Sequence, residues 1–121
     1  MKTPTEFLEE WMKTVCSNDV NAIISWYKED AVLLGTLDKK VRKGRDKIKE
    51  YFDFFVQLKP CGKITEIVEK DYGRMAVING TYDFDLIEDD KQLVAPARFT
   101  FVLERVGIQW KIQSHHSSKQ P

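Results

Sequence analysis

A segregated α+β domain is what this sequence predicts, helices first and strands after. Two patterns carry that expectation. Apolar residues recur at helical spacing as far as Leu58, and they alternate at strand spacing from Ile64 onward. No repeat, linker or low-complexity stretch interrupts either half. The 121 residues, 42% of them hydrophobic, suffice for one core, so residues 1–121 are expected to form one domain.

The first helix opens at Thr3-Pro4-Thr5-Glu6. Thr3 suits the cap, Pro4 the first helical position, and Glu6 completes a capping box. Phe7, Leu8, Trp11, Met12 and Val15 then form its apolar stripe. Ser17-Asn18-Asp19 ends this helix and caps a second, whose buried side carries Val20, Ile23, Ile24 and Tyr27. Asp30 to Thr36 is a short apolar strand. Gly44 precedes a third helix with Ile48, Tyr51, Phe52, Phe55 and Leu58 on one face, and Pro60-Cys61-Gly62 stops it.

Four strands follow, at Ile64 to Lys70, Met75 to Ile87, Leu93 to Arg105 and Trp110 to Ser117. Short polar turns join them, so consecutive strands pair antiparallel as a meander, with the helices on one face. Alternation assigns the faces. Ile78, Tyr82, Phe84 and Leu86 oppose Asn79, Thr81, Asp83 and Asp85. Phe99, Phe101 and Leu103 oppose Arg98, Thr100 and Glu104. If the last strand is regular, Trp110, Ile112, Ser114 and His116 point inward and His115 outward; a bulge would exchange the two histidines.

Composition excludes several classes of function. Nineteen basic and nineteen acidic residues cancel, and no basic patch interleaved with aromatics suggests nucleic acid. The run Lys39-Lys40-Val41-Arg42-Lys43-Gly44-Arg45 is short and reads as a solvated turn. No apolar run is long enough to span a membrane, and the N-terminal residues show no apolar signal region, so a cytoplasmic location is expected. Cys16 and Cys61 lack a CxxC spacing and are expected as two free thiols in a reducing compartment.

His115 and His116 are the only histidines. Adjacent residues of a regular strand point to opposite faces, and no third histidine or thiol cluster accompanies them, so no metal is expected. There is no GxGxxG and no Walker loop, so no cofactor is expected either.

At the level of motifs the chain resembles a known group. Three helices followed by a long-stranded meander resemble the cone-shaped, cystatin-like fold of nuclear transport factor 2 and SnoaL. The stretches "ISWYKEDAVLLGT", "VRKGRDKIKEYFDFFVQLKP", "ARFTFVLER" and "WKIQSHHSSKQP" resemble the small SgcJ/EcaC proteins, and through them the association (hub) domain of calcium/calmodulin-dependent protein kinase type II. The resemblance implies a curved antiparallel sheet with the three helices on its concave face. It also implies a small pocket, with Arg98 and the His115-His116-Ser117-Ser118 run on positions the family motifs contain.

The leading expectation is a self-associating domain that binds a small polar or carboxylate ligand. Arg98 and His116 would be the polar anchors, and Tyr27, Trp26 and Phe55 would line the pocket. The alternative is a small isomerase, dehydratase or cyclase with His116 as general base, assisted by Tyr82. Such enzymes of this fold tune a group inside an apolar cone. A third reading is a pure oligomerisation module. For His116 the bland reading is a hydrogen-bonded structural histidine. For Arg98 it is an ion pair with Asp83, Asp85 or Glu104. Three helices cover only one sheet face, so a homodimer through the other face is expected, and the hub resemblance allows a larger ring.

Overall fold

In the computed structural model, which describes residues 2–121, helix α1 spans Pro4–Cys16. Its capping box is complete: the Glu6 N–H donates to Thr3 Oγ1 at 3.1 Å, and the Thr3 N–H donates to Glu6 Oε1 at 2.9 Å. A cap of this kind contributes about 1 kcal/mol. The stripe from Phe7 to Val15 is buried as expected. Helix α2 is short, Val20–Ile24, and Asp19 caps it through the Ala22 N–H.

Tyr27 departs from expectation. It lies beyond α2 and opens strand β1, Tyr27–Leu34, which begins three residues earlier than the predicted Asp30. Strand β2 is Arg42–Lys43. Helix α3 spans Arg45–Phe55 and tightens into a 3₁₀ turn at Val56–Leu58. Strands β3 (Cys61–Asp71), β4 (Met75–Glu88), β5 (Lys91–Val106) and β6 (Gln109–Lys119) complete the chain. Asp89 and Asp90, both in the left-handed region, make the two-residue loop between β4 and β5.

The sheet order is β2-β1-β6-β5-β4-β3. The meander β3 to β6 is antiparallel, as its short turns predicted. The expectation of an antiparallel sheet throughout is corrected at one pair, because β1 runs parallel to β6. The connection from β1 to β6 passes through α3 and four strands, long enough for a parallel return. The pairing covers what would be an open edge of β6.

Helix α1 packs on β3 and β4, and α3 packs on β1. The inner sheet face supplies Ile78, Tyr82, Phe84 and Leu86 from β4 and Phe99, Phe101 and Leu103 from β5, all buried. Gly80 lies within this face, where β3 bulges between Ile64 and Glu66. A Cβ there would lie 2.8 Å from Phe99 Cζ and would also strike the Glu66 carbonyl.

Two further expectations are corrected. Cys16 and Cys61 are not free thiols; they form a disulfide across 45 residues of sequence. The end of α1 meets the start of β3 because α1 lies along that strand, and spacing along the chain could not show this. The facing of the two histidines is also reversed. Val102 pairs with Ser114, yet the next residue, Leu103, pairs with Ile112, which leaves Gln113 as an extra residue in β6. This bulge shifts the alternation by one. Trp110 and Ile112 point inward before it, and His115 and Ser117 point inward after it. His116 lies exposed on the outer face.

Candidate functional site

The cone holds a partly open cavity of about 30 Å³. Its wall is almost wholly apolar or aromatic and includes Trp11, Leu33, Phe52, Phe55, Phe84 and Leu86. Among the described residues no lysine, arginine, aspartate or glutamate borders it. Five non-charged polar side chains do: Tyr82, His115 and Ser117 from the sheet, Thr36 from the turn after β1, and Tyr51 from α3. Burial pushes the Tyr51 phenol up to about 12.

Four of these polar groups, with Tyr27 behind them, form one hydrogen-bonded chain. Tyr27 Oη lies 3.0 Å from His115 Nδ1, and Tyr82 Oη lies 3.2 Å from His115 Nε2. Tyr82 donates its proton to Ser117 Oγ at 2.7 Å, and Ser117 Oγ lies 2.6 Å from Thr36 Oγ1. Each element contributes for a local reason. The β6 bulge turns His115 and Ser117 inward, the β4 alternation places Tyr82 opposite, and the end of β1 brings Thr36 to the rim.

The His115 ring is held on every side. It stacks on Phe101 and meets the edge of Trp11. Burial, with a smaller push from neighbouring His116, holds its pKa down at about 3. The imidazole is therefore neutral near pH 7, with one N–H and one acceptor nitrogen. Burial also pushes the Tyr27 and Tyr82 phenols well above their ordinary value. At neutral pH the whole chain is uncharged.

The assignments of the phenol protons agree. Tyr82 donates to Ser117, so it accepts from His115 Nε2–H. The Tyr27 oxygen lies near the donor-only Trp11 indole N–H, which reaches no full hydrogen bond, so the Tyr27 proton goes to His115 Nδ1.

The sequence-predicted residues divide between two places. Tyr82 and Phe55 border the cavity, and Tyr27 stands behind His115. His116 does not: the bulge turns it out. Arg98 is exposed on the outer face of β5, cross-strand from Thr81 and Ser118, and makes no ion pair within 4.0 Å with Asp83, Asp85 or Glu104. Trp26 donates its Nε1–H to Thr14 Oγ1 at 3.0 Å and lines a separate surface groove beside Phe7 and Trp110. His115 and Ser117 lay in the family-motif run but were not assigned to the pocket, and the bulge decides for them; Thr36 and Trp11 were missed as site residues, with no sequence signal beyond Trp11's place in the α1 stripe.

A family model for the SnoaL-like domain matches residues 5–121. The chain belongs to the SnoaL-like domain family. Among curated proteins nothing matches it. Among solved structures, it is similar to a putative calcium/calmodulin dependent protein kinase II association domain from Xanthomonas campestris. That likeness has 30% identity and a TM-score of 0.92, and covers 100% of this chain and 94% of the other. The CaMKII hub of S. rosetta shares 18% identity at a TM-score of 0.82, covering 99% of each chain. A ketosteroid isomerase-like protein from Erwinia carotovora atroseptica shares 18% identity at a TM-score of 0.76, covering 92% of this chain and 89% of the other. Further neighbours carry nuclear-transport-factor-2-like and cystatin-like descriptions, so this SnoaL-like chain has the cone fold its motifs implied. Among the described residues of this SnoaL-like chain no helix is long and apolar enough to cross a membrane.

Proposed function

We propose that this SnoaL-like chain is a self-associating domain that holds a small polar molecule in its cone. The observation that carries the pocket is the buried chain of His115, Tyr82, Ser117 and Thr36, which borders an otherwise apolar cavity. Apolar walls with a few convergent polar groups are the usual make-up of a ligand site. The cavity lies far below the 300–1,000 Å³ of drug-sized sites, so the guest has few heavy atoms. The polar anchor passes from His116 to His115. Native mass spectrometry of the purified protein tests the pocket. A released small molecule supports it, and an empty chain that also ignores added small polar probes would sink it.

Self-association rests on the outer face of the sheet, which no helix covers. Val77 pairs with Val102 there, and Val68 and Val94 are 48% and 63% exposed. Arg98 and His116 belong to this face, as rim or pairing groups of an isologous contact. The likeness to association and hub domains supports the same reading. Light scattering after size exclusion decides it, since a monomer at micromolar concentration is incompatible with it. On its "HHSS" ending we place the chain with the SgcJ/EcaC-type members of the family.

The catalytic reading has less support. A general base works best with a pKa near the working pH, and His115 is held at about 3.

A further inference from the structure

The polar chain at the cavity holds more protons than it can use. His115, being neutral, carries one N–H, and Tyr27, Tyr82, Ser117 and Thr36 carry one O–H each. These five donors share four contacts. One proton is left over whichever way the hydroxyls turn. The assigned directions locate it. Tyr27 donates to His115, His115 to Tyr82, and Tyr82 to Ser117. The surplus proton therefore belongs to the Ser117–Thr36 pair. If Ser117 donates to Thr36, the Thr36 proton is free; if Thr36 donates, the Ser117 proton is free. Both residues border the cavity, and Ser117 is only 7% exposed.

Where Ser117 keeps the free proton the donor is buried, and a buried donor without an acceptor costs about 1–3 kcal/mol, so a guest that supplies an acceptor is favoured there; at half-buried Thr36 the cost is smaller. The charge environment then restricts which acceptor. Among the described residues no cation borders the cavity, so a carboxylate entering it would lose its water without gaining a counter-charge. No anion borders it either, so an ammonium group is rejected on the same ground. Arg98, the cation that could have gripped a carboxylate, is on the other side of the sheet.

We propose that the cavity selects a small uncharged molecule carrying a carbonyl oxygen, which accepts the surplus proton of the Ser117–Thr36 pair. This rests on the pocket reading above and narrows its ligand class, against the carboxylate alternative.

The test uses the full chain and three probes of equal heavy-atom count: acetone, acetate and isopropylammonium. Each is titrated at pH 7 while the NMR signals of Thr36, Ser117 and His115 are followed. Saturable shifts with acetone, and with neither ion, are the expected result. Thr36→Val alone leaves the surplus proton on Ser117, so the double variant Ser117→Ala with Thr36→Val, which removes both hydroxyls of the pair, is the one that should weaken acetone binding, roughly three- to tenfold. Acetate binding as tight as acetone overturns the proposal and leaves the pocket intact. So does acetone binding that is unchanged in a folded double variant Ser117→Ala, Thr36→Val. Should that variant not fold, the comparison of the three probes on the unaltered chain decides alone. No shift with any probe overturns the pocket reading and this one with it.

Discussion

His115 lies flat on Phe101, with ring centroids 3.8 Å apart and planes 16° from parallel. A titratable ring is thus sealed against a core aromatic. A cation over a phenyl face gains about 0.5–2 kcal/mol. The depression of His115 from 6.5 to about 3 corresponds to roughly 5 kcal/mol, so desolvation dominates. Between those two pH values the unfolded chain binds a proton that the folded chain refuses. Stability contributed by His115 is therefore full above about pH 6.5 and lost as pH falls toward 3, at up to about 1.4 kcal/mol per pH unit. Urea unfolding between pH 6.5 and 4.5 should show this slope, and His115→Gln should flatten it. A wild-type midpoint constant across that range would contradict the burial of a neutral imidazole.

The bulge at Gln113 predicts an asymmetry between the neighbouring histidines. His115→Ala should lower stability by roughly 2–4 kcal/mol, because it opens a void beside Phe101 and unpairs two phenols. His116→Ala, on the exposed face, should change the unfolding free energy of the single chain by under about 0.5 kcal/mol. Equal effects from the two variants would mean that the strand is regular after all.

The disulfide makes a separate prediction. Closing a loop of 45 residues restricts the unfolded chain by roughly 4 kcal/mol in the entropic account. Protein prepared under air should give no free thiols in denaturant and a mass two hydrogens short. The double variant Cys16→Ser with Cys61→Ser should melt well below it. Two reactive thiols in the unreduced, denatured protein would refute the pairing.

Gly80→Ala should destabilise by more than the usual helix or strand propensity difference. The added methyl meets the Glu66 carbonyl, which is backbone and cannot rotate aside, and the Phe99 ring. An overpacking cost of about 1–3 kcal/mol is expected. A thermal scan showing an unchanged or raised melting temperature would mean that β3 can shift at its bulge.

Most of the framework was legible because it rests on period. The capping box at Thr3, the stripes of α1 and α3, and the alternation of β4 and β5 are local patterns, and the chain follows them. What was not legible depends on contacts between distant segments. Tyr27 suits the end of a helix or the start of a strand, and pairing with Ile112 decides for the strand. The Cys16–Cys61 bond needs α1 against β3. The candidate site depended on one inserted residue: Gln113 resembles any polar strand residue, yet it moves the site from His116 to His115 and puts Ser117 in contact with Tyr82. Arg98 was already assigned to the polar face by alternation, and it remains there.

The place of β6 between β1 and β5 has a consequence for how the molecule is made. It is the last of the six strands to leave the ribosome, yet both neighbours need it. Until it arrives, β1 has only two-residue β2 beside it, and the cone lacks His115 and Ser117. A nascent chain stopped short of Gln109 would hold the three-stranded sheet β3-β4-β5 with α1 packed on it, while β1, β2 and α3 lacked the strand that joins them to that sheet. Insertion of that final strand is then a single event that completes the sheet and assembles the polar wall of the cavity together.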